Sequence, residues 1–317
     1  MNNGSPVLCL GEALIDVVVR ADSSEEHVGG SLLNVAAGVA TLGRPASICA
    51  WWGRDQRGDR LAQWATSSGV TIVPGTDSAA KTPVAIAVLD AEGRATYEFD
   101  LEWEVPELPD LHQYGHLHTG SIAATLEPGG SAVVDAARRI RETATVSYDP
   151  NIRPALMHTP EQVRDRIEDL VGLSDLVKVS DEDLAWLYPE EPVEDVMRRW
   201  IAQGPSMVVV TRGPWGAYAA LAGNRDMLHI DQMTVTLADT VGAGDSFMAG
   251  LIAGLSDAGL LGSVEARQRL RDAGWSDVQS ALHNAVITSG ITVSKHGAYA
   301  PTAAEVAAVK LADPSLN

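Results

Sequence analysis

The sequence predicts an α/β fold. A single domain, residues 1–317, holds a three-layer, doubly wound and mostly parallel sheet, with a small second sheet inserted from about residues 14–28 and 82–104. Three observations lead there. Short apolar runs alternate with amphipathic helical stretches along nearly the whole chain, the rhythm of βαβ units. The run Met207, Val208, Val209, Val210 is apolar at every position, as a strand buried on both faces must be. The runs 83–89 and 94–99, around Ala91-Glu92-Gly93, read as a hairpin and break the rhythm, which puts them outside the main sheet. No stretch resembles a linker between two large domains.

Composition narrows the class. With 45% hydrophobic residues the chain can bury a sizeable core. Its 42 acidic against 23 basic side chains give a net charge of −19, which argues against nucleic acid or an anionic membrane as the main partner. Cys9 and Cys49 both lie in apolar runs and read as small buried residues, not as a disulfide or metal pair. No basic-then-apolar segment opens the chain and no apolar run reaches membrane-spanning length, so a cytoplasmic location is the expectation.

In chain order, residues 7–10 form a first core strand, ended by Gly11-Glu12. Residues 15–20 form a second, with Asp16 near its start. Gly29-Gly30-Ser31 opens a helix on which Leu32, Val35, Ala36, Val39 and Ala40 recur at helical spacing, and Gly43 ends it. Residues 47–52 are a strand, 53–58 a turn, Leu61 and Trp64 mark a helix, and 70–73 are a further strand. After a strand end at 116–120, a helix over 129–142 turns Val133, Ala137 and Ile140 inward.

The strand 145–148 runs into Asp149-Pro150-Asn151-Ile152-Arg153-Pro154. Polar groups at a strand's carboxyl end, on a turn fixed by prolines, read as a site. Thr159-Pro160-Glu161-Gln162 is a capping box with proline at the first helical position. The strand 176–179 ends in Ser180-Asp181-Glu182-Asp183, which a helix cap with first-turn acids also explains. Val193, Val196, Met197, Trp200 and Ile201 form a core stripe closed by Gly204. Thr211, Gly213 and Gly216 follow the buried strand. Two antiparallel strands, 218–221 and 226–230, meet at Gly223-Asn224. Residues 257–277 read as a polar helical connection, 278–289 as a helix, and 313–317 as a frayed tail.

The stretch 239–255, D-T-V-G-A-G-D-S-F-M-A-G-L-I-A-G-L, is the most specific in the chain. Gly242, Ala243 and Gly244 precede Asp245, and Phe247, Leu251 and Leu255 then share one helical face. Small residues before a helix let backbone N–H groups turn toward an anion, and the helix N-terminus adds its positive end. A carboxylate there would repel a phosphate. It makes sense if Asp245 takes a proton from a hydroxyl beside that phosphate.

This stretch resembles the signature of the ribokinase-like sugar kinases, the phosphofructokinase B family. It is not a Walker A loop, because no G-K-[ST] follows. The segment G-G-S-L-L-N-V-A resembles the family's first signature, G-G-x-x-x-N-x-A, and D-P-N-I-R resembles the D-x-N-x-R element of its fructokinases and of its 2-keto-3-deoxygluconate kinases.

The resemblance implies ATP-dependent phosphorylation of a sugar hydroxyl. Asp245 is then the base, Gly242, Ala243 and Gly244 form the anion hole, and Arg153 reaches substrate or phosphate. Asp16, Gly29, Gly30 and Asn34 hold the sugar. Lys178, Thr211, Gly213, Gly216, Asn284 and Gly297 serve the nucleotide. Asp183 and Glu182 would organise Mg2+ through water, although the family's usual N-x-x-E stands here as Ser180 to Asp183. Asp239 and Ser289 flank the place of an activating K+ ion. The small sheet becomes a lid over the sugar, and the assembly considered is a homodimer through that lid.

Fructose is the expected sugar, with 2-keto-3-deoxygluconate the nearest competitor. A nicotinamide-dependent dehydrogenase would want G-x-G-x-x-G after the first strand, where Gly11-Glu12-Ala13 stands. A non-catalytic sugar- or nucleotide-sensing relative would typically have lost the base that Asp245 preserves.

Overall fold

The computed structural model describes residues 4–89 and 95–316. Its strands are β1 (Val7–Leu10), β2 (Leu14–Arg20), β3 (Ser23–Gly29), β4 (Ala46–Cys49), β5 (Thr71–Ile72), β6 (Val84–Leu89), β7 (Ala95–Asp100), β8 (His116–Gly120), β9 (Thr145–Asp149), β10 (Leu176–Ser180), β11 (Met207–Thr211), β12 (Ala217–Leu221) and β13 (Leu228–Ile230). A 9-stranded sheet runs in the order β13-β12-β11-β10-β9-β8-β1-β4-β5. Its pairs are parallel from β11 to β5 and antiparallel at the β12-β13 edge.

Side-chain alternation explains the two covering layers. Val7 and Cys9 of β1 join one core and Leu8 and Leu10 the other; Met207 and Val209 of β11 divide from Val208 and Val210 in the same way. The helices α1 (Ser31–Thr41), α2 (Gln56–Ser67), α8 (Ala243–Asp257), α9 (Val264–Arg271) and α10 (Trp275–Val293) contribute to the first core. The second is built with α3 (Gly129–Ile140), α4 (Pro154–Met157), α5 (Pro160–Leu173), α6 (Asp181–Leu187) and α7 (Val193–Gln203). The final helix, α11 (Ala303–Ala312), packs Val306 against Ile287 and Ile291 of α10. Cys9 and Cys49 are free and buried in opposite cores, so no disulfide links them.

The second sheet has 4 strands in the order β3-β2-β6-β7. β6 and β7 pair antiparallel as the hairpin reading requires, while its turn, Ala91-Glu92-Gly93, lies outside the described residues. Ile15, Val17 and Val84 seat this sheet on the main core. Among the described residues no helix is long and apolar enough to cross a membrane.

Several boundaries differ from the sequence reading. The strand expected over 47–52 stops at Cys49, because the Trp52 N–H leaves the ladder for the Thr76 carbonyl at 2.8 Å. Trp52 is apolar there because it is buried, not because it is in a strand. The helix expected over 278–289 begins at Trp275, where Asp277 accepts the Gly274 N–H at 2.8 Å, and it continues to Val293. Helix α11 was not anticipated. Its signal was the capping box Thr302-Ala303-Ala304-Glu305, in which Glu305 accepts the Thr302 N–H at 2.8 Å.

Candidate active site

The carboxyl ends of the central strands, where ligands of open α/β sheets bind, carry most of the residues singled out above. Strand β1 ends at Leu10, and Gly11-Glu12-Ala13 carries the chain into β2 of the small sheet. The hairpin β2-β3 returns it to Gly29-Gly30. Gly30 sits at φ +108, where a Cβ would lie 2.6 Å from the Glu12 carbonyl oxygen, so only glycine lets the chain pass. Helix α1 starts at the next residue. Asp16, Ala85 and Phe99 stand in one cross-strand row, and Val18, Ala87 and Tyr97 in the neighbouring one, so the sheet face carrying Asp16 also carries two aromatic rings.

Helix α8 meets α1 at this point. Gly242, at φ 75, turns the chain into α8 and places Asp245 in the first turn. Ser31 Oγ donates to Asp245 Oδ1 at 2.6 Å, and Asn34 Nδ2 donates to Asp245 Oδ2 at 2.8 Å. Together the two donors fix the plane of the carboxylate. Asp245 therefore sits where the Gly29-Gly30 side and the G-A-G turn converge. Solvent reaches Asp16, yet enough protein surrounds its carboxyl to raise it, while Arg153 and His27 pull it back.

On the other side of the G-A-G turn lies a cleft of about 610 Å³. Arg153, Lys178, Glu182, Asp183, Thr211, Gly213, Gly216, Ala243, Gly244 and Ser289 all line it. Lys178 is buried and its Nζ lies 2.6 Å from Asp149 Oδ2. Burial works against the ammonium, but Asp149, Asp245 and Asp183 outweigh it and raise Lys178. Burial raises Asp149 to about 6, partly offset by Lys178, which leaves an ion pair at neutral pH. A Cβ on Gly244 would meet Lys178 Nζ at 2.9 Å, so this fixed cation stands directly against the G-A-G turn.

Asn151 adopts φ 39, a left-handed turn that asparagine tolerates, and Ile152 N–H then reaches Asp183 Oδ1 at 2.9 Å. Asp183 Oδ2 accepts the Ser180 N–H at 3.2 Å. Both oxygens of Asp183 are thus engaged in holding the turn, while Glu182 is exposed on the cleft wall. Arg153 touches the carbonyls of Asn151 and Ile152, and its charge reaches Glu12 and Asp16. Asp239 accepts N–H groups from Gly297 at 2.9 Å and Val241 at 3.1 Å, pinning the loop before α8 to the turn after α10.

Of the residues expected at the nucleotide, Gly242, Asn284 and Gly297 do not line the cleft; Gly242 adjoins Ala243, which does, and Asn284 faces away from it. Val286, Ser289, Gly290 and Val293 line it from α10, at helical spacing. Asn284 is two positions before Val286, about 200° around the helix, and packs instead on Gly254 of α8. Sequence reading missed Glu12 and Ser31. Glu12 was taken as part of a turn, yet it is buried, and Ser31 is one of the two donors that orient Asp245.

The chain is similar to known proteins along most of its length. Residues 6–305 match the family described as pfkB family carbohydrate kinase. A fructokinase from Klebsiella pneumoniae is 33% identical over 261 residues, 79% of this chain and 84% of that protein. A crystal structure of fructokinase with bound ATP from Xylella fastidiosa superposes with a TM-score of 0.83 at 23% identity, covering 98% of this chain and 99% of that one. A fructokinase double mutant from Vibrio cholerae, with fructose, ADP and a potassium ion bound, does so with a TM-score of 0.76 at 23% identity, covering 97% and 99%.

Proposed function

The chain belongs to the pfkB family of carbohydrate kinases, and on that premise we propose that it transfers the γ-phosphoryl group of ATP to the terminal primary hydroxyl of fructose, with Asp245 as the general base. The observation that carries the reading is the position of Asp245. It lies between the Gly29-Gly30 side, held by Ser31 and Asn34, and the G-A-G turn with Lys178 behind it. A base there takes the hydroxyl proton as the bond to phosphorus forms. The amides of Gly242, Ala243 and Gly244, with Lys178 fixed close by, stabilise the charge on the transferring group.

Asp16, Gly29, Gly30 and Asn34 hold the sugar, and the small sheet closes over it and keeps water out, since water would compete as acceptor. Thr211, Gly213 and Gly216 serve the nucleotide phosphates, and Gly297 serves the nucleotide from the turn bonded to Asp239. Asn284 has no part in this reading.

Local charge favours a neutral sugar. Arg153 is already drawn on by Glu12 and Asp16, and Asp245 stands close to Glu12, so a carboxylate such as that of 2-keto-3-deoxygluconate would meet more repulsion than attraction. Magnesium would enter with the nucleotide. Held mainly by phosphate oxygens and water, it would find Glu182 as the exposed carboxylate on the cleft wall. Bound there, it neutralises charge on the phosphates.

Potassium would sit beside Asp239 and Ser289, where the Val293 carbonyl accepts the Ala238 and Asp239 N–H groups at 2.8 and 3.2 Å. Equal rates in potassium and in a bulky organic cation would remove it from the reading. Tyr97 is exposed on the face that carries Asp16 and Val88 on the opposite one, and the small sheet is where a homodimer would form. A cytoplasmic place completes the reading.

The deciding experiment measures kcat/KM for fructose, ribose, 2-keto-3-deoxygluconate and adenosine under one ATP-regenerating condition. A site built to bond particular hydroxyls can reject analogues lacking them by about 10⁴-fold, so fructose should stand clear. Another winner overturns the sugar, and no ADP release with any of them overturns the kinase.

A further inference from the structure

We propose that Glu12 is a positioning residue for phosphotransfer: its buried carboxylate holds Ser31, the first residue of α1, and through the Ser31 hydroxyl fixes the orientation of Asp245. Ser31 joins the two acids in one chain of hydrogen bonds. Its N–H donates to Glu12 Oε1 at 3.3 Å, and its Oγ donates to Asp245 Oδ1 at 2.6 Å. The backbone of Glu12 also abuts the backbone of Gly30, the residue just before α1, too closely for a side chain to intervene. A shift at Glu12 is therefore passed to the start of α1, and from there to the base.

A purely structural role fits the carboxyl poorly. Glu12 is only 7% exposed, and its Oε2 has no hydrogen-bond partner among the described residues. Burying an acid with an oxygen unsatisfied costs stability that an apolar side chain would not. Ser121 lies against the same carboxyl from the end of β8, close enough to favour its charged form, and does so from φ 53, a strained conformation for serine.

The charged groups facing Glu12 are Arg153, from the turn after β9, and Asp245, from α8; they act in opposite directions. Burial raises Glu12 to about 7, so its charge changes within the working pH range of an ordinary enzyme.

The proposal rests on Asp245 being the base. The test compares Glu12→Ala, Glu12→Gln, Ser31→Ala and the Glu12→Ala/Ser31→Ala double variant with the parent, recording kcat, both KM values, kcat against pH, and Tm. Misplacing a reacting group by a fraction of an ångström to an ångström can cost up to about 10²-fold, so Glu12→Ala should lower kcat about 10–100-fold with KM for ATP unchanged.

Glu12→Gln keeps an acceptor for the Ser31 N–H and should recover most of kcat. It should also flatten the small rise in kcat expected of the parent as Glu12 ionises, a rise no larger than the deficit of Glu12→Gln itself, because the carboxylate is only the stronger of two acceptors. Because Glu12 acts through Ser31, the double variant should be no slower than Ser31→Ala alone.

Parent kcat in Glu12→Ala, or losses that multiply in the double variant, overturns the proposal. If Glu12→Ala does not fold, Glu12→Gln with the parent's pH profile overturns it alone. Asp245→Asn in the same assay separates the two readings. If it keeps parent turnover, the base assignment falls and this proposal with it. If it is inactive while the Glu12 variants behave as the parent, only the role of Glu12 falls.

Discussion

Two donors hold Asp245, and each leaves lone pairs free on the oxygen it contacts, so an incoming hydroxyl can still be met by a carboxylate already aimed at it. Asp245→Asn keeps the shape but sets amide against the Asn34 amide and removes the proton acceptor. Turnover should fall by about 10²–10⁴-fold while nucleotide binding and Tm stay close to the parent. Turnover within a few-fold of the parent would remove Asp245 from the chemistry.

Gly244→Val tests shape at the same turn. Its Cβ would meet Lys178 Nζ at 2.9 Å, and Lys178 cannot swing aside because Asp149 holds it at 2.6 Å. The valine should therefore displace the turn from the phosphate and cost about 10²-fold or more in kcat, the usual scale for losing an oxyanion donor. Parent turnover, measured beside Tm, would mean that the G-A-G amides cradle nothing. These residues were legible because their spacing is local: G-A-G-D is read within one turn of helix. Ser31 and Glu12 were not, because their importance comes from contacts made across 214 and 19 positions of sequence.

Besides its apolar seat on the core, the small sheet is clasped to the body by the Glu26 carboxylate. Glu26 of β3 accepts from Arg57 at 2.5 Å and from Arg60 at 2.6 Å, both on α2, and its carbonyl accepts a further Arg60 N–H at 2.8 Å. These side chains are partly exposed, so the clasp is worth about 0.2–1 kcal/mol per pair, less in high salt. Glu26→Gln should hardly change Tm yet raise KM for the sugar more than KM for ATP, because it loosens the sheet that carries Asp16. A larger change for ATP would mean that the sheet does not serve the sugar side.

Strands β6 and β7 were legible as a hairpin from alternation and a glycine-bearing turn. The short helix α4 was not, since Pro154 and three further residues give no periodicity to read. Helix α10 outran its expected end because Ile291 is buried by α11, a helix the sequence reading had not placed.

At the scale of the molecule, the centre of the main sheet carries two buried histidines. His116 contacts Thr145 and Ser147 at 2.8 Å, and His118 shares Ser147 at 2.9 Å. Burial lowers His116 to about 3, and burial likewise lowers His118. A base depressed in the folded state takes up protons on unfolding. Its contribution is therefore complete above the ordinary value of 6.5 and is lost as pH falls from there toward 3. For His116 the loss should reach about 2 kcal/mol by about pH 5. Tm measured across that range should fall, and fall less steeply in His116→Asn. Identical slopes would show that the imidazole is already charged in the fold.

The sequence by itself determined the layered α/β architecture, the separate small sheet and the residues of the G-A-G-D turn. Each of these is written in periods of two or 3.6 residues, or in a short fixed spacing, and burial enforces such patterns locally. Only the tertiary structure decided which polar residues meet. It turned Asn284 toward α8, because two positions along a helix reverse its face. It committed both oxygens of Asp183 to backbone N–H groups, brought Lys178 against Gly244, and joined Glu12 to Asp245 through Ser31. Such meetings depend on how strands and helices far apart in the chain are set side by side, and no local pattern records that.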